Sequence, residues 1–233
     1  MNSCLPTLNY NKARKCVGYL PQEFGVYPKM NAVQLLNYLA VLKGVTDNTA
    51  RKKQIDYLLE LTNLTEHKSK AVANYSGGMK QRFGIAQALL GSPKILIVDE
   101  PTAGLDPAER NSFHNILSDI AEKMIILLST HIVEDINNLC PHMAILHAGE
   151  ICFQGQPQTL INTLTNRLWS KTISKNELEK VQKQYELLSV RLKGGGYQIR
   201  MVSDLNLEHG FTPVEADLED AYFHTLKSNN NAK

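Results

Sequence analysis

The sequence contains Tyr75-Ser-Gly-Gly-Met-Lys-Gln-Arg82 and, farther along, the apolar run Ile95-Leu-Ile-Val98, which ends in the acidic pair Asp99-Glu100. Serine is a preferred N-cap residue, so Ser76-Gly77-Gly78 predicts the start of a helix. The unpaired N–H groups and the dipole of a helix N-terminus attract an anion, and glycines let it approach closely. A plain helix cap with a flexible turn is the alternative.

The two carboxylates of Asp99 and Glu100 follow an apolar strand directly. We expect both to emerge at the carboxyl end of a buried strand, where open α/β sheets bind their ligands. One carboxylate can hold Mg²⁺, and the other can orient or deprotonate an attacking water. Acidic residues after a strand are also common as loop residues or helix caps.

Three further polar residues follow predicted strands or turns: Gln22, Asp106 and His131. Gln22 comes after the first strand and could contact a metal or the attacking water. Asp106 lies in a second turn, where it adds a carboxylate, caps the helix that begins at Pro107, or does both. His131 follows the strand Met124–Leu128 and could hydrogen-bond a terminal phosphate, although a single histidine at a strand end is more often structural.

Short apolar strands alternate with helices along most of the chain, and this order predicts a parallel sheet covered by helices on both faces. Beyond about Thr165 a β-α-β-β-α order predicts a small appended α+β module. The predicted organisation is a partial α/β domain at 1–164 with a helical part at about 23–93, an accessory module at 165–227, and a frayed tail at 228–233.

The composition is that of an ordinary globular protein, with 43% hydrophobic and 21% charged residues and a net charge of +2. A charge so close to zero gives no electrostatic reason to expect nucleic acid or an anionic membrane surface as a partner. No apolar stretch approaches the roughly 20 residues that span a bilayer. The four cysteines form no C-x-x-C pair, which favours reduced thiols in the cytoplasm.

Taken together, the order of these segments resembles that of the ATP-binding cassette (ABC) ATPases, the cytoplasmic engines of ABC transporters. The matching segments, in chain order, are similar to the Q-loop (Val17–Gln22), the signature sequence (Tyr75–Gln81), Walker B with its catalytic glutamate Glu100 (Ile95–Pro101), the D-loop (Ala103–Pro107) and the switch histidine (Ser129–His131). The resemblance covers about residues 13 to 155. The continuation Met79-Lys-Gln-Arg82 and the segment Thr212–Tyr222 are similar to single-cassette ATPases of ABC-2-type exporters.

The resemblance implies a P-loop NTPase-like (RecA-like) parallel sheet with a helical subdomain, acting on ATP with Mg²⁺. It also implies a permease and a second ATPase subunit, identical or different, as partners at the cytoplasmic face of a membrane. The implied residues are catalytic (Glu100, His131, Gln22), nucleotide-binding (Ser76, Gly77, Gly78, Gln81, Asp106) and metal-binding (Asp99, Gln22). Two cassettes of this family pair head to tail, so the resemblance implies that Ser76, Gly77, Gly78 and the D-loop act on ATP held by the partner.

A phosphate-binding G-x-x-x-x-G-K-[ST] loop does not occur in the 233 residues. In this family the loop precedes the Q-loop, and its strand belongs to the same sheet. We therefore expect a cassette without its N-terminal part, with core surface exposed, which alone binds Mg-ATP weakly and is inactive. The alternatives are a degenerate, non-catalytic subunit that lends its signature helix to a complete partner, or an ABC protein without a transport function.

Overall fold

The computed structural model describes residues 10–25, 27–207 and 210–231, and the chain divides into two units between His131 and Ile132. The elements of the first unit are α1 (Tyr10–Cys16), β1 (Val17–Leu20), α2 (Ala32–Leu42), α3 (Asn48–Leu61), α4 (Gly77–Ala88), β2 (Ile95–Asp99), α5 (Pro107–Ala121) and β3 (Ile125–Ser129). Those of the second unit are α6 (Val133–Leu139), β4 (Met143–His147), β5 (Glu150–Gly155), α7 (Pro157–Asn162), β6 (Leu168–Ile173), α8 (Leu178–Gln184), β7 (Ser189–Lys193), β8 (Gly196–Val202), β9 (Thr212–Pro213) and α9 (Leu218–Asn231).

A parallel sheet in the order β1-β2-β3 forms the centre of the first unit. Leu20 pairs with Val98, which in turn pairs with Leu128. One face of the sheet is buried, since Leu20, Leu96 and Val98 have no exposed surface. Helix α4 lies against β1 and against α5. The parallel arrangement predicted from the sequence is confirmed.

The opposite face of this sheet is apolar and exposed. On it lie Tyr19, Ile125 and Leu127, which are 51%, 67% and 61% exposed. The prediction that helices cover both faces is therefore wrong for the described residues. Parallel sheets normally bury both faces. Covering this apolar surface would therefore stabilise the fold.

Side-chain caps fix the starts of the helices in the first unit. The Asn31 side chain accepts a hydrogen bond from the N–H of Gln34, and the N–H of Asn31 donates in return to the Gln34 side chain, which is a capping box. Asp47, Ser76 and Asp106 accept in the same way from backbone N–H groups three residues later. The helix starts at Ser76 and Asp106 were predicted from the sequence and are confirmed.

The second unit contains the predicted hairpin and the predicted α+β module. Strands β4 and β5 are joined by Ala148 and Gly149, both with positive φ, as a two-residue type I′ turn requires. The module is an antiparallel sheet in the order β7-β8-β6-β9. Helix α7 and strand β9 were not predicted. Helix α9 extends to Asn231, so the described residues of the expected frayed tail are helical.

The division of the chain by contacts differs from the boundary expected between residues 164 and 165. Helix α9 packs against α6, α7 and β5. One hydrophobic cluster accordingly joins Ile145, Leu160 and Leu164, which precede that boundary, to Leu218 and Ala221 of α9. Periodicity along the chain shows an apolar helix face but not which distant element covers it.

The cysteines and the lengths of the helices bear on two further expectations. Cys16, Cys140 and Cys152 are free, half-buried thiols, while Cys4 lies outside the described residues. Within the part of the chain that the structure describes, no helix combines the length and the apolar character needed to cross a membrane.

Candidate functional site

The predicted site residues lie in the first unit, around the carboxyl ends of the parallel strands and the N-terminus of α4. Ser76 caps α4, because its Oγ accepts a hydrogen bond from the Met79 N–H at 3.2 Å. Gly77 and Gly78 are the first residues of the helix. This is the anion-attracting geometry that the sequence predicted, with backbone N–H groups at a helix N-terminus.

A carboxylate from α5 occupies this helix N-terminus. Glu109 Oε1 accepts a hydrogen bond from Ser76 Oγ at 3.0 Å, and Glu109 Oε2 accepts one from the Gly78 N–H at 3.1 Å. The backbone N–H of Glu109 in turn donates to Asp106 Oδ1 at 2.8 Å, so Asp106 is the N-cap of α5. The sequence reasoning missed Glu109. A capping box at this spacing would send the Glu109 side chain to the Asp106 N–H, so the local pattern gives no signal for its contact with α4.

The second contact joins the ends of β2 and β3. His131 Nδ1 lies 2.6 Å from Glu100 Oε2. A carboxylate oxygen accepts hydrogen bonds, so Nδ1 carries the proton and Nε2 is the nitrogen available to a ligand. The Glu100 side chain is 21% exposed and that of His131 is 71% exposed, which leaves the imidazole accessible.

The backbone of Glu100 adopts a left-handed conformation with a φ of 46°. Its N–H donates to the carbonyl of Ser129 at 2.9 Å. A non-glycine residue at positive φ stores strain, and such residues cluster at functional sites. The turn directs the Glu100 side chain to His131 directly after strand β2 ends.

Asp99 is held by the neighbouring strand. Ser129 Oγ donates to Asp99 Oδ1 at 2.6 Å, and the two residues are partners in the register of β2 and β3. The sequence pattern contains Ser129 only as part of the segment Ser129–His131 and does not predict its contact with the carboxylate. The hydrogen bond fixes one oxygen of Asp99 and leaves the other available to a cation.

The side chains present fit a magnesium ion that is bound partly by the protein and partly by a substrate. In the described residues no three His, Cys, Asp or Glu side chains are grouped so as to hold a metal. Mg²⁺ needs no such cage, because it is usually bound by one or two carboxylates, waters and substrate phosphates. Asp99 supplies a carboxylate of that kind.

Gln22 and Gln81 contact each other rather than the carboxylates. Gln81 Nε2 donates to the backbone carbonyl of Gln22 at 3.4 Å, a long hydrogen bond. Gln22 is exposed and lies two residues beyond β1, at the same edge of the sheet as Asp99, since Leu20 pairs with Val98. The roles predicted for both glutamines in binding metal and nucleotide stay predictions.

The structure thus brings the predicted residues into two groups. Asp99, Glu100 and His131 form a group that can bind a cation and orient a water. Ser76 and Gly78 present N–H and O–H donors that can bind an anion. The turn from β2 to α5 runs from Glu100 to Asp106, and in it the Leu105 N–H donates to the Thr102 carbonyl at 3.2 Å.

Comparison with known proteins gives matches to ATP-binding proteins of ABC transporters. The family model described as ABC transporter matches residues 3–103. The chain is 40% identical over 147 residues to the uncharacterized ABC transporter ATP-binding protein YxlF of Bacillus subtilis (strain 168), covering 63% of this chain and 50% of that protein.

Two further relatives carry more informative names. The probable multidrug ABC transporter ATP-binding protein YbhF of Escherichia coli (strain K12) is 36% identical over 168 residues, which is 72% of this chain and 29% of that protein. The linearmycin resistance ATP-binding protein LnrL of Bacillus subtilis (strain 168) is 34% identical over 154 residues, which is 66% of this chain and 49% of that protein. The chain spans about half the length of YxlF and LnrL, and less of YbhF.

Proposed function

We propose that this chain, which belongs to the ATP-binding cassette ATPases, hydrolyses ATP to drive transport through a membrane permease. The observation that carries the proposal is the contact of Glu100 with His131 beside the contact of Asp99 with Ser129. Both contacts lie at the carboxyl edge of a parallel sheet, where such sheets bind their ligands.

Glu100 is the proposed general base. His131 holds its Oε2, so Oε1 is the oxygen that can accept a proton from the attacking water. The Nε2 atom of the same imidazole can then contact the terminal phosphate. Asp99, fixed by Ser129, would hold Mg²⁺ together with Gln22. When bound, Mg²⁺ neutralises the charge on the phosphates.

The N-terminus of α4 is proposed to act on a partner's nucleotide. Ser76, Gly77 and Gly78 would donate to the terminal phosphate across a dimer of cassettes, with Gln81 and Asp106 supporting the same interface. Such a site needs two ATPase subunits, identical or different. Backbone N–H groups at a helix N-terminus suit this task because their partial positive charge is fixed in place.

The phosphate-binding loop is proposed to come from polypeptide that covers the exposed face of the parallel sheet. Tyr19, Ile125 and Leu127 on that face support this view, because their burial would stabilise the fold by about 25 cal/mol for each Å² covered. Without the lysine and backbone donors of such a loop, the chain would bind Mg-ATP weakly by itself.

The permease is proposed to dock beside the exposed face of α2. Tyr27 and Tyr38 form an edge-to-face pair with ring centroids 6.2 Å apart, and both are about half exposed. Val41 and Leu42 continue this apolar surface to the end of α2. Such docking would hold the protein at the cytoplasmic face of a membrane. The name of YbhF, which includes the word multidrug, and the name of LnrL, which includes the words linearmycin resistance, favour a role in drug transport or drug resistance.

The experiment that tests the proposed function is ATP hydrolysis by the protein assembled in lipid vesicles with its permease and with polypeptide that supplies the proposed phosphate-binding loop. We expect Mg²⁺-dependent hydrolysis that Glu100→Gln slows strongly, whereas the purified chain alone should show no micromolar affinity for Mg-ATP by calorimetry. Hydrolysis unaffected by Glu100→Gln would favour the alternative of a non-catalytic subunit that completes a partner's site. The contact of Glu100 with His131 argues against that alternative, because a non-catalytic subunit has no physical need for it.

A further inference from the structure

We propose that Glu109 is an autoinhibitory anion, which closes the N-terminus of α4 until a phosphate group displaces its carboxylate. The inference rests on the proposed function, in which this helix N-terminus receives the terminal phosphate of a nucleotide. It adds a residue that neither the sequence pattern nor the relatives' names assign to the site.

The two oxygens of the Glu109 carboxylate use the donors that a phosphate would need. Oε1 accepts from Ser76 Oγ and Oε2 accepts from the Gly78 N–H. Hydrogen bonds to a charged acceptor are stronger than neutral ones, and the dipole of α4 adds to them. The carboxylate therefore satisfies the helix N-terminus in the absence of any external anion.

The close approach depends on the absence of a side chain at Gly78. A Cβ atom added there would lie 2.3 Å from the Glu109 carboxyl carbon and 2.5 Å from each of its oxygens. At Gly77 the nearest atom to an added Cβ is a Leu105 methyl at 3.9 Å. The carboxylate thus fills the space directly over Gly78.

The backbone of Glu109 is fixed by its own helix. Its N–H donates to the cap residue Asp106, and α5 is anchored in the core by Phe113, Ile116 and Leu117. The side chain of Glu109, by contrast, can rotate about its own bonds. Release of the carboxylate therefore requires only a change of rotamer, with α4 and α5 left in place.

Two anions cannot share these donors, because like charges at contact distance repel. A phosphate must therefore displace Glu109 before it can bind at α4. The contact raises the phosphate concentration needed for binding, and it keeps the helix N-terminus closed when no nucleotide is presented.

The test uses inorganic phosphate as the probe and the backbone amide signals of Gly77 and Gly78 in NMR spectra as the readout, at constant ionic strength. We expect Glu109→Gln to lower the dissociation constant for phosphate about tenfold, which corresponds to about 1.4 kcal/mol. The control Glu122→Gln removes the same charge from the exposed C-terminal end of α5 and should leave the constant at its wild-type value.

Equal phosphate affinity of the wild type, Glu109→Gln and Glu122→Gln would overturn the proposal while leaving an anion site at α4. An equal gain in both variants would also overturn it, since net charge alone would then explain the effect. If phosphate shifts the Gly78 signal in none of the proteins, the anion role of α4 in the proposed function fails as well. Should Glu109→Gln not fold, Glu109→Asp, whose shorter side chain cannot reach both donors, must show the gain for the proposal to stand.

Discussion

The Nδ1 atom of His131 lies 2.6 Å from Oε2 of Glu100, although 31 positions separate the two residues in the chain. The contact forms because β2 and β3 are adjacent and parallel, so that their carboxyl ends meet. The positive φ of Glu100 then turns its side chain to the imidazole. Each side chain holds the other in one orientation.

Glu100→Gln should preserve ATP binding and slow hydrolysis by about 10²–10⁴-fold, the usual loss when a general base is removed. The amide has nearly the shape of the carboxylate but cannot accept a proton from water. The measurement is single-turnover hydrolysis in the assembled complex, with Glu122→Gln as a charge-matched control. A wild-type rate for Glu100→Gln would refute the catalytic role of Glu100.

His131→Ala should slow turnover with little change in KM, because it frees the Glu100 carboxylate and removes the proposed phosphate contact. The double variant with Glu100→Gln should be about as slow as the slower single variant, since residues that act as one unit have non-additive effects. A double-mutant cycle of kcat values measures this. Fully additive losses would show that the two residues act separately.

Ser129→Ala should raise the Mg²⁺ concentration required for half-maximal activity, because the Asp99 carboxylate loses the hydroxyl donor that orients it. A loss of about 10-fold is typical for removal of a group that supports a metal ligand. Ser129→Thr keeps a hydroxyl and should retain most of the wild-type Mg²⁺ dependence. If alanine and threonine at this position give the same Mg²⁺ curve as the wild type, Asp99 needs no such support.

Gly18→Ala should destabilise the protein by about 1–3 kcal/mol, since it overpacks a close contact of strand and helix. The added Cβ would lie 2.4 Å from the backbone carbonyl oxygen of Ala88, which cannot rotate away. Gly77→Ala, which has no such neighbour, should change stability by less than about 1 kcal/mol. The stabilities of the two variants are compared by denaturant unfolding. Equal midpoints for Gly18→Ala and Gly77→Ala would contradict the packing argument.

The stability of the protein should fall in mild acid because of His224. Burial lowers the pKa of His224 below its usual value, and the positive charge of Arg167 lowers it further, against the opposing effects of Glu186 and Asp204. Lys227 lines the same cavity. The unfolded chain therefore binds a proton at His224 more readily than the folded chain. The contribution of neutral His224 to the free energy of unfolding is complete above pH ~6.5 and is lost as the pH falls below that value.

The variant His224→Gln tests this pH dependence. It should flatten the loss of thermal stability below pH ~6.5, because glutamine takes up no proton in either state. The comparison is made between melting curves of the two proteins across that range. His142→Gln, at an exposed position, is the control and should leave the pH dependence as in the wild type.

Local chemistry was enough to predict where the helices begin and where the strands end. Asn31, Ser76 and Asp106 cap their helices through N–H groups three residues away, so each cap is contained in a few consecutive residues. The apolar run before Asp99 likewise predicted a buried strand with its carboxylates at the ligand-binding edge. Periods and caps are short-range properties, which is why a single sequence displays them.

The partners of the functional side chains were decided by the tertiary structure. Ser129 holds Asp99 only because the strand register places them side by side, and Glu109 reaches Gly78 only because α5 packs against α4. The exposure of Ile125 and Leu127 likewise depends on which elements cover the sheet. The two hydrogen-bonded contacts join residues about thirty positions apart in the chain. The local sequence pattern does not specify which distant residues meet, whereas the packing of the hydrophobic core does.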